Sequence, residues 1–162
     1  MTDIIQGYQR NVQNLKAVVM TESRVSPDDC SMAMHSNDYA AKALGMQIVR
    51  TELGASVVTM KVRQDMLNGL GGCHGGMIFS LADTAFAHAC NSTNKPTVAS
   101  GCTIDFLAPG KQGDILTARA SERSRSGRTG IYDVEVFNQD EQLIAVFRGR
   151  SYQLKGTVVP VE

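Results

Sequence analysis

Apolar residues recur with two different periods along this chain. In residues 4–19 they follow helical spacing, at Ile4, Ile5, Tyr8, Val12, Leu15 and Val19. This spacing predicts an amphipathic helix that lies on the domain or on a neighbouring subunit. The polar residues 22–30, which include Pro27, predict a linker. A short helix is predicted over residues 37–44, with Asn37 as its N-cap and Gly45 as its stop.

From residue 46 onward the period changes to two, which is typical of half-buried strands. Strands are predicted at residues 46–51, 56–62, 97–106, 115–124, 130–138 and 143–154. Turn-forming residues separate them, for example at Pro109 and Gly110. One long helix at residues 76–91 interrupts the strands and is apolar on almost every side, so we expect protein to surround it. This order predicts an α+β fold in which an antiparallel sheet wraps around one long central helix.

Composition and charge exclude several classes of protein. The 162 residues suffice for one domain with a hydrophobic core. The formal net charge is zero, so there is no electrostatic case for nucleic acid or an anionic membrane as a partner. No apolar run is long enough to span a membrane, and no signal peptide is expected. The four cysteines are scattered without a C-x-x-C pair, which argues against a metal site and predicts reduced thiols in the cytoplasm.

A glycine-rich turn precedes the long helix, in the stretch NGLGGCHGGMIFSLADTAF that begins at Asn68. Neither the dinucleotide fingerprint nor the P-loop pattern fits these glycines. Gly75 and Gly76 let another group approach the backbone closely, and the free N–H groups of a first helical turn favour negative charge. A developing oxyanion is one suitable guest. The plain alternative is a tight turn with no catalytic role.

Asp83 lies within the apolar helix, where an isolated carboxylate is costly unless it has partners or a task. It follows Gly75 at a distance of about 12 Å along a helix. One carbonyl group therefore cannot contact both features of a single chain. Either the two features serve unrelated ends, with Asp83 capping a neighbouring loop for example, or a second chain brings its own Asp83 to Gly75. The second option predicts a symmetric dimer with two sites at its interface.

Three segments, MLNGLGGCHGGMIFSLADTAFAHACNS, ASGCTIDFLAPGKQGD and VFRGRS, resemble the hotdog-fold acyl-CoA thioesterases of the phenylacetate-degradation type. The resemblance covers residues 37–156 and includes the shared spacing N-G-x(4)-HGG-x(6)-D. It implies a strongly curved antiparallel sheet around a helix, in subunits that pair and usually assemble into a homotetramer built from dimers. With the periodicity, this predicts three parts: an N-terminal helical extension and linker outside the shared pattern (1–36), a hotdog domain (37–156) and a C-terminal tail (157–162).

The resemblance implies roles for individual residues. Asp83 matches the acid that acts as general base on water or as nucleophile at the thioester carbonyl. Gly75 matches the residue whose backbone N–H polarises that carbonyl from the other subunit. His74 and Asn68 match residues that position the thioester and the catalytic groups. The implied substrate is phenylacetyl-CoA or ring-hydroxylated phenylacetyl-CoA, which is hydrolysed to free acid and CoA with no cofactor and no metal.

Contacts to the substrate and to its CoA part are predicted at further positions. Gly76 and Thr84 adjoin the predicted catalytic residues, and Ser100 is a candidate for holding the water molecule. The basic run ERSRSGRTG places arginines beside a hairpin tip, which suits a phosphate contact. The residues predicted to meet CoA there and in the last strand are Arg125, Gly127, Arg128, Thr129 and Arg148.

Other functions stay open within this fold. A 3-hydroxyacyl dehydratase also pairs a histidine with a helix acid, although the proline-rich turn expected of it is absent here. A non-catalytic acyl-CoA-binding protein would keep the basic loop and tolerate Asp83→Asn. Cys73 beside His74 suggests a thiol nucleophile, but no orienting acid follows at a familiar spacing, so we favour a small buried cysteine.

Overall fold

A computed structural model describes residues 25–161 of the chain. In this part the elements are α1 (Pro27–Asn37), α2 (Tyr39–Ala43), β1 (Gln47–Glu52), β2 (Ala55–Lys61), a short 3-10 helix (Gln64–Met66), α3 (Gly75–Asn91), β3 (Thr97–Phe106), β4 (Ile115–Ser126), β5 (Thr129–Phe137) and β6 (Leu143–Gln153). The amphipathic helix predicted over residues 4–19 lies outside the described residues. Among the described helices, none is long and apolar enough to cross a membrane.

The six strands form one antiparallel sheet in the order β1-β2-β4-β5-β6-β3. Every predicted strand is confirmed, with ends that agree to within about two residues. In β4 the apolar side chains of Leu116, Ala118 and Ala120 are buried at alternate positions, as the period of two requires. Strands β1 and β3 are the open edges of the sheet, and β3 carries a bulge between Ala99 and Gly101.

Helix α3 packs against the sheet along its whole length and supplies the centre of the hydrophobic core. Its buried core residues are Ile78, Leu81, Ala82, Ala85, Phe86, Ala89 and Cys90. Within the single chain, protein covers this helix on every side except one. Ser80, Asp83, Thr84 and Ala87 are only half-buried, because no element of residues 25–161 covers them completely.

Helix α1 replaces part of the predicted linker at residues 22–30. Ser26 and Asp29 form a capping box, in which the Asp29 N–H donates to Ser26 Oγ (3.2 Å) and the Ser26 N–H donates to Asp29 Oδ2 (2.9 Å). Pro27 is the first helical residue, where its missing N–H costs nothing. The linker prediction is therefore wrong from residue 27 onward, because the proline starts a helix here.

Buried hydrogen bonds join α1 to the rest of the domain. Ser31 Oγ lies 2.7 Å from His88 Nδ1 on α3, and Thr51 Oγ1 on β1 donates to Ser31 Oγ at 3.0 Å. Burial, aided by the nearby His35, lowers the pKa of His88 to about 4, so its imidazole is neutral near pH 7. His35 and His88 thus both belong to the packing between α1 and α3. The predicted domain boundaries at 37 and 156 stay predictions.

The N-cap of helix α2 lies one residue later than expected. Asp38 is its N-cap, with Oδ1 accepting from the Ala41 N–H at 2.9 Å. The prediction of Asn37 as the cap is wrong, because Asn37 is the last residue of α1. Gly45 follows the end of α2 with a φ of +70°, so the predicted glycine stop is confirmed.

Gly149→Ala tests the closest contact between the sheet and α3. A Cβ built on Gly149 would lie 2.8 Å from Cε2 of Phe86, whose ring is fully buried. We expect the free energy of unfolding, measured in urea, to fall by about 1–3 kcal/mol, because neither side can move away. Gly69→Ala is the matched control, since a Cβ at Gly69 would meet no atom within 4 Å. Equal stability of both variants would contradict this account of the core.

Candidate active site

The glycine turn before α3 is held together by Asn68. Its Oδ1 accepts from the N–H groups of Leu70 (2.8 Å) and Gly72 (3.2 Å), and its own N–H donates to the carbonyl of Gly72 (2.8 Å). The Cys73 N–H donates to the carbonyl of Gly110 at 2.8 Å, which ties the turn to the loop after β3. Asn68 therefore shapes the turn, and no hydrogen bond to its side-chain amide N–H₂ is formed within residues 25–161.

The start of α3 leaves one backbone donor free. His74 is the N-cap, and its Nδ1 accepts from the N–H of Gly76 at 2.9 Å. Gly76 is thus satisfied by the cap, and it has no N–H to offer a ligand. The N–H of Gly75 has no acceptor in the described chain. A free N–H at the positive end of a helix is a donor suited to an anionic oxygen.

The ring of Phe106, the last residue of β3, lies against Gly75. A Cβ built on Gly75 would lie 3.0 Å from Phe106 Cζ and 3.4 Å from both Cε atoms. Only glycine leaves room for this contact without displacing the ring. The close approach predicted at Gly75 is therefore present, although the approaching group in this chain is an aromatic side chain.

The Asp83 carboxylate lies on the half-buried side of α3 and makes no hydrogen bond or ion pair within residues 25–161. Burial raises its pKa above the ordinary value of 3.8. The alternative in which Asp83 caps a neighbouring loop is wrong for the described chain, because no loop donates to it. Thr84 is the next residue on this side of the helix and is also half-buried.

Two cysteines near Asp83 indicate where its carboxylate lies. Burial raises the pKa of Cys102 on β3, and the nearby Asp83 carboxylate raises it further. Burial likewise raises the pKa of Cys90 to about 12, again with a contribution from Asp83. Asp83 therefore faces the end of the sheet where β3 is the open edge. Gly75, at the start of α3, contacts Phe106, at the end of β3. Asp83, farther along α3, lies near Cys102, which comes earlier in β3. Strand β3 therefore runs antiparallel to α3.

Cys73 is buried, and burial raises the pKa of its thiol. A thiol with a raised pKa is a weak nucleophile at neutral pH, because little of it is thiolate. The interpretation of Cys73 as a small buried residue fits this environment. The Asp83 carboxylate is therefore a better candidate than the Cys73 thiol for the group that acts as base or nucleophile.

Similarity to known proteins agrees with this geometry. The model of the thioesterase superfamily matches residues 70–145. The chain is 55% identical to the acyl-coenzyme A thioesterase PaaI of Escherichia coli K12 over 126 residues, which are 78% of this chain and 90% of that protein. The solved structure of E. coli PaaI, from the phenylacetic acid degradation operon, superposes with a TM-score of 0.80 at 53% identity and covers 81% of this chain and 95% of that one.

The chain belongs to the thioesterase superfamily. The predicted hotdog fold and the predicted resemblance are confirmed. A protein of Streptococcus mutans UA159, solved with bound acetyl CoA, has a TM-score of 0.66 at 31% identity, over 69% of this chain and 90% of that one. The roles of single residues in this thioesterase stay predictions.

The predicted water-holding residue of the thioesterase, Ser100, lies in the bulge of β3. Its Oγ donates to the carbonyl of Arg150 at 3.1 Å, and the residue is exposed. The hydroxyl oxygen keeps lone pairs that can accept from a water molecule. Ser100 therefore lies on the same edge strand as Cys102, the neighbour of Asp83.

The predicted CoA-binding arginines of the thioesterase are not one cluster. Arg125 is committed to an internal network, with Glu122 at 2.8 Å and the hydroxyl of Tyr132 at 3.0 Å. Arg148 forms two hydrogen bonds with Asp133, of 2.7 and 2.9 Å. Arg125 therefore has an acid of its own, whereas Arg148 shares Asp133 with Arg123.

The tip of the β4–β5 hairpin keeps a cation without an acidic partner. Gly127 has a φ of +56° at this tip, and Thr129 Oγ1 donates to the carbonyl of Ser126 at 3.0 Å. Arg128 Nε donates to the carbonyl of Gln153, and its guanidinium lies 4.7 Å from the ring centroid of Tyr152. Within the described residues Arg128 forms no ion pair. It is the strongest phosphate candidate among the predicted arginines.

Sequence reasoning missed Phe106 as a neighbour of the predicted site. Phe106 continues the alternation of β3, and nothing in the local pattern separates an exposed aromatic residue from a core residue. Its side of the strand and its contact with Gly75 come from the tertiary structure, since 30 positions separate the two in the chain. No signal in one sequence pairs them.

Asp83→Asn tests the cost of the buried carboxylate. A raised native pKa means that the folded state holds more protons than the unfolded state just above pH 3.8, so the carboxyl group contributes less to stability as the pH rises through its native pKa. We expect Asp83→Asn to be more stable than wild type at pH 7.5, with a difference that shrinks towards pH 4. Urea unfolding at both pH values measures it. Asp105→Asn, at an exposed acid of β3, is the control, and a wild type more stable than Asp83→Asn at pH 7.5 would contradict the expectation.

Proposed function

We propose that this thioesterase hydrolyses acyl-CoA thioesters, with phenylacetyl-CoA and ring-hydroxylated phenylacetyl-CoA as its preferred substrates. One observation carries the proposal: α3 presents a free N–H at Gly75 and an unbonded, half-buried carboxylate at Asp83. The similarity to E. coli PaaI supports the substrate class, and the acetyl CoA held by the S. mutans relative supports CoA as the leaving group.

The Gly75 N–H polarises the thioester carbonyl. In the transition state the carbonyl oxygen gains negative charge, and a donor fixed at a helix N-terminus needs no reorganisation to stabilise it. One such donor contributes about 2.7–4 kcal/mol in comparable acyl-transfer sites. His74 holds the adjacent N–H of Gly76, so that the first turn keeps its shape when the substrate binds.

Asp83 supplies the base or the nucleophile. As a base it takes a proton from water, the hydroxide forms the new C–O bond, and the C–S bond breaks to release CoA thiolate. As a nucleophile its oxygen attacks the carbonyl carbon, the C–S bond breaks to release CoA thiolate, and water then cleaves the mixed anhydride to the free acid and the regenerated Asp83 carboxylate. Burial strengthens the carboxylate as a base, because it raises the pKa. The thiol leaves without strong acid catalysis, since an ordinary thiol pKa is about 8.5.

The site is formed by two chains. Gly75 and Asp83 lie about 12 Å apart along α3, too far for one carbonyl group. Antiparallel pairing of two β3 edges about Ile104 would place Phe106 of one chain opposite Cys102 of the other. Phe106 contacts Gly75 and Cys102 lies near Asp83, so this pairing brings each Gly75 to Asp83 of the partner subunit. The long open edge of β3 suits such pairing.

Further predictions belong to the same proposal. The dimers assemble into a homotetramer, the enzyme acts in the cytoplasm with no cofactor or metal, and Arg128 contacts a CoA phosphate.

Release of CoA thiol from phenylacetyl-CoA, by wild type and by Asp83→Asn, tests the function directly. We expect the variant to lose activity by about a hundredfold or more, because an amide can neither accept the proton nor attack the carbonyl. Asp28→Asn, at an exposed acid of α1 outside the proposed dimer edge, is the control and keeps its activity. No release by wild type that still binds CoA in calorimetry would indicate a binding protein. Loss of water from a 3-hydroxyacyl-CoA, seen by product mass, would indicate a dehydratase.

Mixed dimers test whether one site needs two chains. Gly75→Pro removes the N–H at a first helical position, where proline is tolerated, and Gly75→Ala is its control because it adds a Cβ and keeps the N–H. We expect Gly75→Pro and Asp83→Asn to be inactive alone. Refolded together in equal amounts, they should regain about a quarter of wild-type activity, because half of the dimers carry one intact site. Mixtures that stay inactive, although light scattering shows dimers, would contradict a shared site.

A further inference from the structure

We propose that Phe106 determines the preference of this enzyme for aromatic acyl groups, as the wall against which the substrate's aryl ring packs. The inference rests on the proposed function, because it takes the Gly75 N–H as the group that binds the thioester carbonyl. The inference goes beyond the proposed function by naming the residue, Phe106, and the physical cause, aromatic packing, of the preference for one acyl-CoA over another.

One face of the Phe106 ring lies over the backbone of Gly75. Its Cζ lies 3.0 Å from the position of a Cβ on Gly75, nearer than either Cε atom at 3.4 Å. A carbonyl oxygen bound to the Gly75 N–H places the carbonyl carbon, and the first carbon of the acyl chain, within a few ångströms of this ring. In a phenylacetyl group the aryl ring begins on that first carbon, so it lies within contact of Phe106.

Phe106 is not required by the hydrophobic core. It is 51% exposed and stands outside the core cluster, whereas Ile104, two residues earlier on β3, packs against that cluster. Leu107 is 56% exposed and Leu70, in the glycine turn, is 97% exposed. Large apolar side chains are therefore exposed both in the turn that precedes Gly75 and directly after Phe106. Such a surface next to a polar donor fits a carbonyl with an apolar substituent.

Aromatic packing accounts for selectivity at this position. Two aromatic rings prefer edge-to-face or offset arrangements with centroids about 4.5–7 Å apart, and such pairs contribute beyond their buried area. This contribution corresponds to a factor of about 2–12 in an equilibrium or rate constant. An acetyl group presents only its methyl group to this ring and gains no aromatic pairing. Phe106 therefore affects the ratio of two substrates, and need not affect hydrolysis as such.

The competing role for Phe106 is a contact between subunits alone, because β3 is the proposed dimer edge. The two roles differ in what they change. A residue that serves only the interface alters the dimer, or the activity towards all substrates by the same factor. A residue that packs on the aryl group alters phenylacetyl-CoA and leaves acetyl-CoA nearly unchanged.

The experiment compares kcat/KM for phenylacetyl-CoA and acetyl-CoA in wild type, Phe106→Leu and Phe106→Tyr, with the dimer followed by light scattering. Leucine keeps an apolar side chain without a ring, and tyrosine keeps the ring. Val98→Ala is the matched control, at an exposed apolar residue of the same edge strand about 26 Å away. We expect Phe106→Leu to lower the phenylacetyl-to-acetyl ratio by about five- to tenfold, and Phe106→Tyr and Val98→Ala to keep it within about twofold.

A ratio unchanged in Phe106→Leu overturns the inference, and so does a dimer that dissociates in this variant, since Phe106 then serves the interface. A ratio that falls equally in Phe106→Tyr also overturns it, because the ring is retained there. Failure of the proposed function gives a different result, namely a wild type that hydrolyses neither substrate.

Discussion

The packing of α3 into the sheet is the interaction on which the rest of this structure depends. One helix has to supply the whole centre of the core, and the sheet has to approach it closely, as Gly149 does over the ring of Phe86. This requirement fixes where the two ends of the helix lie. Its N-terminus meets the glycine turn, which is tied by Cys73 to the loop after β3. The middle of the helix is held under the open edge of the sheet.

The same packing leaves two polar groups of α3 without partners. The Gly75 N–H has no acceptor and the Asp83 carboxylate has no donor in the described chain, and each costs free energy in that state. Neither group helps the single chain to fold. In the proposed site a thioester carbonyl, a water molecule and a second chain would give both groups partners, which is a physical reason for a thioesterase to retain them.

Electrostatics at the surface shows how a linear pattern can mislead. The basic run from Arg123 to Arg128 resembles a phosphate-binding patch, yet Arg123 and Arg125 pair with Asp133 and Glu122. Antiparallel pairing brings Asp133 of β5 to Arg123, whereas Glu122 precedes Arg125 by three residues on β4 itself, so both arginines have an acidic partner within the sheet. Arg128, at the hairpin tip, has no acidic partner among the described residues, because it lies beyond the last acid of the two strands.

The sequence by itself determined the strands, the long helix, the glycine stop at Gly45 and the fold class, because these follow from local periodicity and backbone preference. It also pointed to Asp83 and Gly75, since a carboxylate and a glycine pair are conspicuous beside an apolar helix. The helix at Pro27 was missed because proline both ends and begins helices. Only the tertiary structure decided that Phe106 lies on Gly75, that Ser31 bonds His88 and that Arg148 pairs with Asp133. These contacts join residues far apart in the chain, and their distances depend on the packing of every element between them.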